Sequence, residues 1–185
     1  MKKIHILFLI IVLSFSIVCC RTTKLSNVDG DQINGHPAWI MQGNIYEVNV
    51  RQYTPEGTFN AFAKHLDRLK AMGVETIWFM PINPISKLDR KGSLGSYYAV
   101  SDYTTINPEF GTMDDFKKIV KTIHDKGMKV LIDWVPNHAG ADHRWITDHP
   151  DFFVKDNSGK AAVAFDCADT RQLDYKNPVM QDSMI

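Results

Sequence analysis

From residue 44 onward the apolar positions switch between two rhythms. Residues 44–50 (NIYEVNV) are rich in β-branched and aromatic types and predict a first strand. Pro55 and Gly57 break it. Thr58 is placed to cap a helix in which Phe59, Phe62, Leu66 and Leu69 recur near helical spacing up to Met72. Gly73 ends that helix. Residues 74–80 (VETIWFM) predict a second strand, closed by Pro81. A long loop rich in Gly, Ser, Pro, Asn and Tyr covers 82–111. Thr112 then caps a second helix, with Asp114 and Asp115 in its first turn, where negative charge suits the helix dipole. Phe116, Ile119, Val120 and Ile123 make its buried stripe, Lys126 and Gly127 close it, and residues 128–135 predict a third strand.

The order is strand, helix, strand, helix, strand. Near-continuous apolar strands alternating with helices predict an α/β fold with a parallel sheet. Both helix-to-strand turns are short, and both strand-to-helix connections are polar or long. Ligands of such folds sit beyond the carboxyl ends of the strands. The stretch VLIDWVPNHAG therefore aims Asp133, Asn137 and His138 at that face. After His138 the rhythm weakens. Trp145, Phe152 and Phe153 stand among Asp, His and Lys, and residues 155–160 (KDNSGK) read as a turn or small hairpin. There is no internal repeat and no low-complexity tract.

Charge and composition narrow the partners. Net charge is zero over 185 residues, which gives no electrostatic reason to expect nucleic acid or an anionic membrane surface. Aromatics make up 11% of the chain; they suit a core and equally a surface for stacking sugars. Residues 1–20 read as a targeting segment. Lys2 and Lys3 form a positive start, Ile6 to Val18 an apolar run too short for the ~20 residues of a membrane span, and Cys19 and Cys20 end it. A hydrophobic run closing on cysteine resembles a bacterial lipoprotein signal, with Cys20 a better lipid acceptor than Cys19. A plain secretory signal or an uncleaved anchor is the alternative. Residues 21–36, polar and containing Ser, Asn, Asp and Gly, read as a tether. Cys167 is the remaining cysteine, so no disulfide framework and no zinc spacing is expected.

Four stretches carry a family resemblance: IYEVNVRQYTPEGTF, GVETIWFMPINPIS, GSYYAVSDYTTINPEFGTMDDFKKIV and KVLIDWVPNH. In this order and spacing they resemble the N-terminal half of a glycoside hydrolase family 13 domain, the alpha-amylase family. HPDFFVKDNSGK and QLDYKNPVM resemble the short insert after strand three of amylase and neopullulanase-like members. The resemblance covers residues 40–184. It implies a partial (β/α)8 TIM barrel, with 37–138 holding its first three β/α units and 139–185 the insert and the lead-in to strand four. It also implies action on α-linked glucose with retention, on an α-glucan or malto-oligosaccharide.

Carried over by motif, Tyr98 matches a tyrosine that stacks on the glucose at the cleavage point. His138 matches a histidine that hydrogen-bonds the same sugar. Asp133 matches the aspartate of the active-site network, and Asp102 a structural carboxylate. Asn137 matches a calcium-ligating loop residue of calcium-bearing members. Position 172, where those members carry an aspartate, is Gln here, so calcium is a possible ligand and no cofactor is required.

Each residue alone has a plain structural reading. Tyr97 and Tyr98 can pack a loop, Asp133 can bond backbone amides, and His65 and His124 suit a helix surface. The family's nucleophilic aspartate and acid/base glutamate follow later strands and match nothing in this chain. The expectation is a fragment that is inert alone, with an unpaired edge on its third strand. Two alternatives stay open: a non-catalytic glycan-binding lipoprotein, and a family transferase or isomerase.

Overall fold

The computed structural model describes residues 28–29, 32–33, 35–41 and 43–185. The expected signal at 1–20, with Cys19 and Cys20, lies outside the described residues. Among the described residues no helix is long and apolar enough to cross a membrane. The chain divides into two units, Met1–Gln42 and Gly43–Ile185. In the first, β1 (Val28–Asp29), β2 (Gln32–Ile33) and β3 (His36–Pro37) pair in a small antiparallel ladder, within and just past the stretch that reads as a tether. A 3-10 turn at Ala38–Ile40 follows.

The second unit holds the predicted parallel sheet. Strands β4 (Asn44–Val48), β5 (Val74–Phe79) and β6 (Lys129–Ile132) lie side by side in that order. Tyr46 pairs with Ile77, and Trp78 with Leu131. The first strand is shorter than its apolar run suggests. Val50 opens a helical turn, α1 (Val50–Tyr53), because the Asn49 carbonyl accepts from the Gln52 and Tyr53 amides. Val50 is buried in that turn rather than on the sheet.

The first predicted helix is also divided. It runs as α2 (Phe59–Ala63) and α3 (Leu66–Ala71), with tighter three-residue bonds from Lys64 to Ala61 and from His65 to Phe62 between them. Its expected caps are present: Ala61 N donates to Thr58 Oγ1, and Gly73 takes the left-handed conformation at φ 85°. Helix α4 (Met113–Asp125) begins with a capping box. Asp115 N donates to Thr112 Oγ1 at 3.1 Å, and Thr112 N donates back to Asp115 Oδ2 at 2.9 Å.

Five phenyl rings knit this core. Phe59 contacts Phe79, Phe110 and Phe116, and Phe79 contacts Phe62 and Phe116, mostly edge to face. The outer flank of the sheet differs. Leu131 and Ile132 on β6 are each 47% exposed and Trp134 is 57% exposed, as an unpaired third strand requires.

Beyond β6 the chain builds a second, smaller sheet. Strands β7 (His138–Gly140), β8 (Val163–Ala164) and β9 (Cys167–Gln172) are antiparallel in the order β7-β9-β8. The expected hairpin forms where Lys155 pairs with Ala161 around the Asp156 turn. The short helix α5 (Trp145–Asp148) and the helix α6 (Pro178–Met184) complete this part. Ala139, Phe152, Phe153, Leu173, Met180 and Met184 form its own core.

Gly140 joins this sheet to the 82–111 loop. Its amide donates to the Val100 carbonyl at 2.6 Å. A Cβ there would lie 2.8 Å from Ser86 Cβ and 2.9 Å from Val100 O. Gly140→Ala is expected to destabilise the chain by about 1–3 kcal/mol, the usual cost of overpacking, seen as a lower urea midpoint. An unchanged midpoint would show that this seam yields easily.

Candidate functional site

The carboxyl ends of β5 and β6 define the floor of the site. Asp133 follows β6 directly, and its amide donates to the Phe79 carbonyl at 2.8 Å, which sets its direction beside the end of β5. The 82–111 loop supplies Tyr98. The loop is folded back on itself: Ser86 N donates to Ala99 O at 2.7 Å, Ser101 N to Pro84 O at 2.9 Å, and Ile85 bridges Val100. Arg51, from α1, clamps it further. Its guanidinium donates to the Tyr97 hydroxyl at 2.8 Å and to the carbonyls of Leu94 and Gly95, and it lies over the Tyr97 ring. Tyr97 therefore packs the loop while its neighbour Tyr98 stays 37% exposed.

Four of the five expected residues come together. The Tyr98 hydroxyl donates to Asp133 Oδ2 at 3.0 Å. His138 Nε2 lies 3.1 Å from the Tyr98 carbonyl, and its Nδ1 lies 3.1 Å from the Asn137 side-chain nitrogen. A carbonyl only accepts, so a neutral ring must carry its proton on Nε2 and accept from Asn137 at Nδ1. Burial holds His138 below the ordinary histidine range, against the opposing pull of the Tyr98 carbonyl and the Asp169 charge. Burial first, then Asp133, pushes the Tyr98 phenol up to about 12. Both groups are thus neutral at pH 7.

Asp102 stands apart. Its Oδ1 accepts from the Thr104 amide and hydroxyl, both at 2.7 Å. It lines a groove of about 730 Å³ with Lys87, Arg90, Asp142 and Arg144, which does not include Tyr98, Asp133 or His138. Burial raises its carboxyl, but the Thr104 bonds and the Arg144 charge outweigh this and hold it below the usual range. Its neighbour Tyr103 is the link to the site, for that hydroxyl lies 2.7 Å from the His138 carbonyl and 3.1 Å from that of Val135.

Three positioning groups were not legible as such: Arg51, Tyr103 and Gln172. Arg51 and Tyr103 sit inside the family-like stretches, but nothing in their spacing says what they hold. Gln172 is opposite His138 in the β7–β9 ladder, a pairing that only the insert's fold creates.

With this geometry in place, the comparisons define the class. Residues 22–178 match the alpha amylase catalytic domain. The chain belongs to that family, glycoside hydrolase family 13, and corresponds to the N-terminal part of its catalytic domain, a partial TIM barrel. It is 40% identical to an alpha-amylase from Lactobacillus plantarum whose crystal structure superposes with a TM-score of 0.75, covering 77% of this chain and 34% of that one. It is 36% identical over 137 residues to the alpha-1,4-glucan:maltose-1-phosphate maltosyltransferase of Rhodospirillum rubrum, across 64% of this chain and 19% of that protein. It is 34% identical over 113 residues to the amino acid transporter heavy chain SLC3A1 of Mus musculus, across 58% of this chain and 16% of that protein. The chain thus spans about a third of the amylase and under a fifth of the two curated relatives.

A lowered His138 value has a signed consequence. The neutral ring is favoured by folding, so its contribution is present above about pH 6.5 and lost as pH falls through the folded value. His138→Gln is expected to flatten the fall in urea midpoint between pH 7 and pH 5. Nitrogen-15 NMR is expected to place the neutral proton on Nε2. A proton on Nδ1, or an unchanged pH slope, would contradict this arrangement.

Proposed function

We propose that Gly43–Ile185 forms the glucosyl-gripping flank of a retaining site that acts on α-glucans, and that this chain by itself performs no cleavage. The observation that carries the reading is the shared cluster of Tyr98, Asp133 and His138 at the carboxyl ends of the strands. A hexose offers an apolar C–H face and a rim of hydroxyls, so its site needs an aromatic surface with fixed polar groups around it. Tyr98 offers a part-exposed ring. Asp133 keeps an oxygen beyond the one that Tyr98 bonds. His138 can exchange the Tyr98 carbonyl for a sugar oxygen, because its Nε2 proton already faces an acceptor.

Cleavage with retention needs two carboxyl groups about 5–5.5 Å apart. Asp133 is the carboxylate bonded into the cluster among the described residues, and Asp102 is held by Thr104 elsewhere. The substrate we assign is an α-glucan or malto-oligosaccharide, supported by the amylase and maltosyltransferase relatives. Binding without cleavage is the second reading, since Tyr98, Asp133 and His138 offer sugar-facing groups with one carboxyl bonded among them. Export and a lipid on Cys20 (or Cys19) belong to the same proposal, on the strength of the charged, apolar and cysteine order at residues 2–20.

Two measurements test this. Titration calorimetry on the full chain is expected to show maltoheptaose binding, weakened about tenfold or more by Tyr98→Ala, with no reducing sugar released from starch. Absent binding would refute the sugar reading, and measurable turnover would refute the inert one. Radiolabelled palmitate is expected to enter the wild-type chain in a bacterial host and to be lost from a Cys19→Ser, Cys20→Ser double variant; equal labelling would refute the anchor.

A further inference from the structure

The family resemblance points to a calcium ion on Asn137, and the residues gathered there do not fit one. A calcium ion takes about six to eight oxygen ligands, carboxylates prominent among them. Among the described residues no three His, Cys, Asp or Glu side chains converge as a metal site. The backbone carbonyls around Asn137 already have donors. The Asn137 carbonyl accepts from Gln172 Nε2 at 2.9 Å and from the Leu173 amide at 3.4 Å. The same Gln172 nitrogen lies 3.3 Å from the Leu173 carbonyl. The His138 carbonyl accepts from Tyr103 at 2.7 Å.

We propose that Gln172 takes the place of a metal ion: its amide clasps the Asn137–His138 corner to β9, and the chain sets His138 without calcium. The register explains the reach. His138 and Gln172 are direct partners in the β7–β9 ladder, so their side chains leave the sheet on one face. From there the glutamine amide turns back to the carbonyl immediately before His138. An amide N–H carries partial positive charge and occupies two carbonyls, those of Asn137 and Leu173, that a cation there would draw on. It also repels the cation. An aspartate or glutamate at position 172 reverses both effects, since it offers no proton and adds a negative oxygen beside two carbonyls.

The corner then fixes His138 from both sides. Gln172 holds the Asn137 backbone, and the Asn137 side chain faces His138 Nδ1. Gln172 is thus a positioning residue, and its effect appears in the imidazole rather than in stability alone.

The test uses the full chain and calcium chloride or a chelator as the only additions, so it is separate from any sugar-binding assay. Wild type is expected to melt at the same temperature in excess chelator and in millimolar calcium, with unchanged His138 ring-nitrogen shifts. Gln172→Glu is expected to melt about 3 °C lower in chelator, the scale of one lost hydrogen bond in a domain of this size, with displaced His138 shifts and partial recovery of both on adding calcium. Calcium-dependent melting or shifts in wild type would overturn the proposal. So would a Gln172→Glu protein whose His138 shifts match wild type. Should that variant not fold, the wild-type calcium titration decides alone: invariance supports the clasp and dependence removes it.

Discussion

Two backbones meet at Gly140 with no space for a side chain between them. The Gly140 amide donates to Val100, and the Cα faces Ser86. This seam docks the insert's small sheet on the loop that carries Tyr98. Arg51 holds the same loop from the barrel side through Tyr97, Leu94 and Gly95. His138 lies two residues before Gly140, so closing the seam brings its ring to the Tyr98 carbonyl. Without that closure Tyr98 and His138 would sit on two loops ordered separately, at about 1–2 kcal/mol per residue fixed. Two distant segments become one site because one glycine lets their backbones approach.

The same construction explains the hydrogen-bond order inside the site. Asp133 is aimed by strand β6 and accepts from Tyr98. Tyr98 presents its hydroxyl to Asp133 and its carbonyl to His138. His138 is then held at its other nitrogen by Asn137, whose backbone Gln172 anchors. Each polar group faces a partner of the opposite sense, which is what a half-buried network needs to persist. The outer flank of β6 is the opposite case. Leu131 and Ile132 leave about half their surface in water, so roughly 1 kcal/mol of burial per residue is unrealised there.

Much of the sheet was legible because two rhythms rarely coincide by accident. VETIWFM became β5 with one residue fewer, and the Thr112 helix kept its cap, its stripe and its closing glycine. The misses have separate causes. Val50 fits a strand by type but is drawn into α1 by the Asn49 carbonyl and the core beneath it. The Phe59–Leu69 pattern hides a break at Lys64 and His65, since helical spacing survives a tightened turn. Residues 167–172 (CADTRQ) show neither rhythm, and their strand exists because β7 and β8 pair on either side of it.

The sequence by itself determined the parallel order of the three barrel strands, their helices and caps, and the family motifs that single out Tyr98, Asp133, Asn137 and His138. Those features follow from local periodicity and residue chemistry, which a linear chain displays. Only the tertiary structure decided which partners these residues have. The Asp133–Tyr98–His138 chain of bonds, the Arg51 clamp and the Gln172 clasp each join positions 30 or more residues apart. Such contacts depend on how far two backbones can approach, and that distance is set by packing rather than by any local pattern.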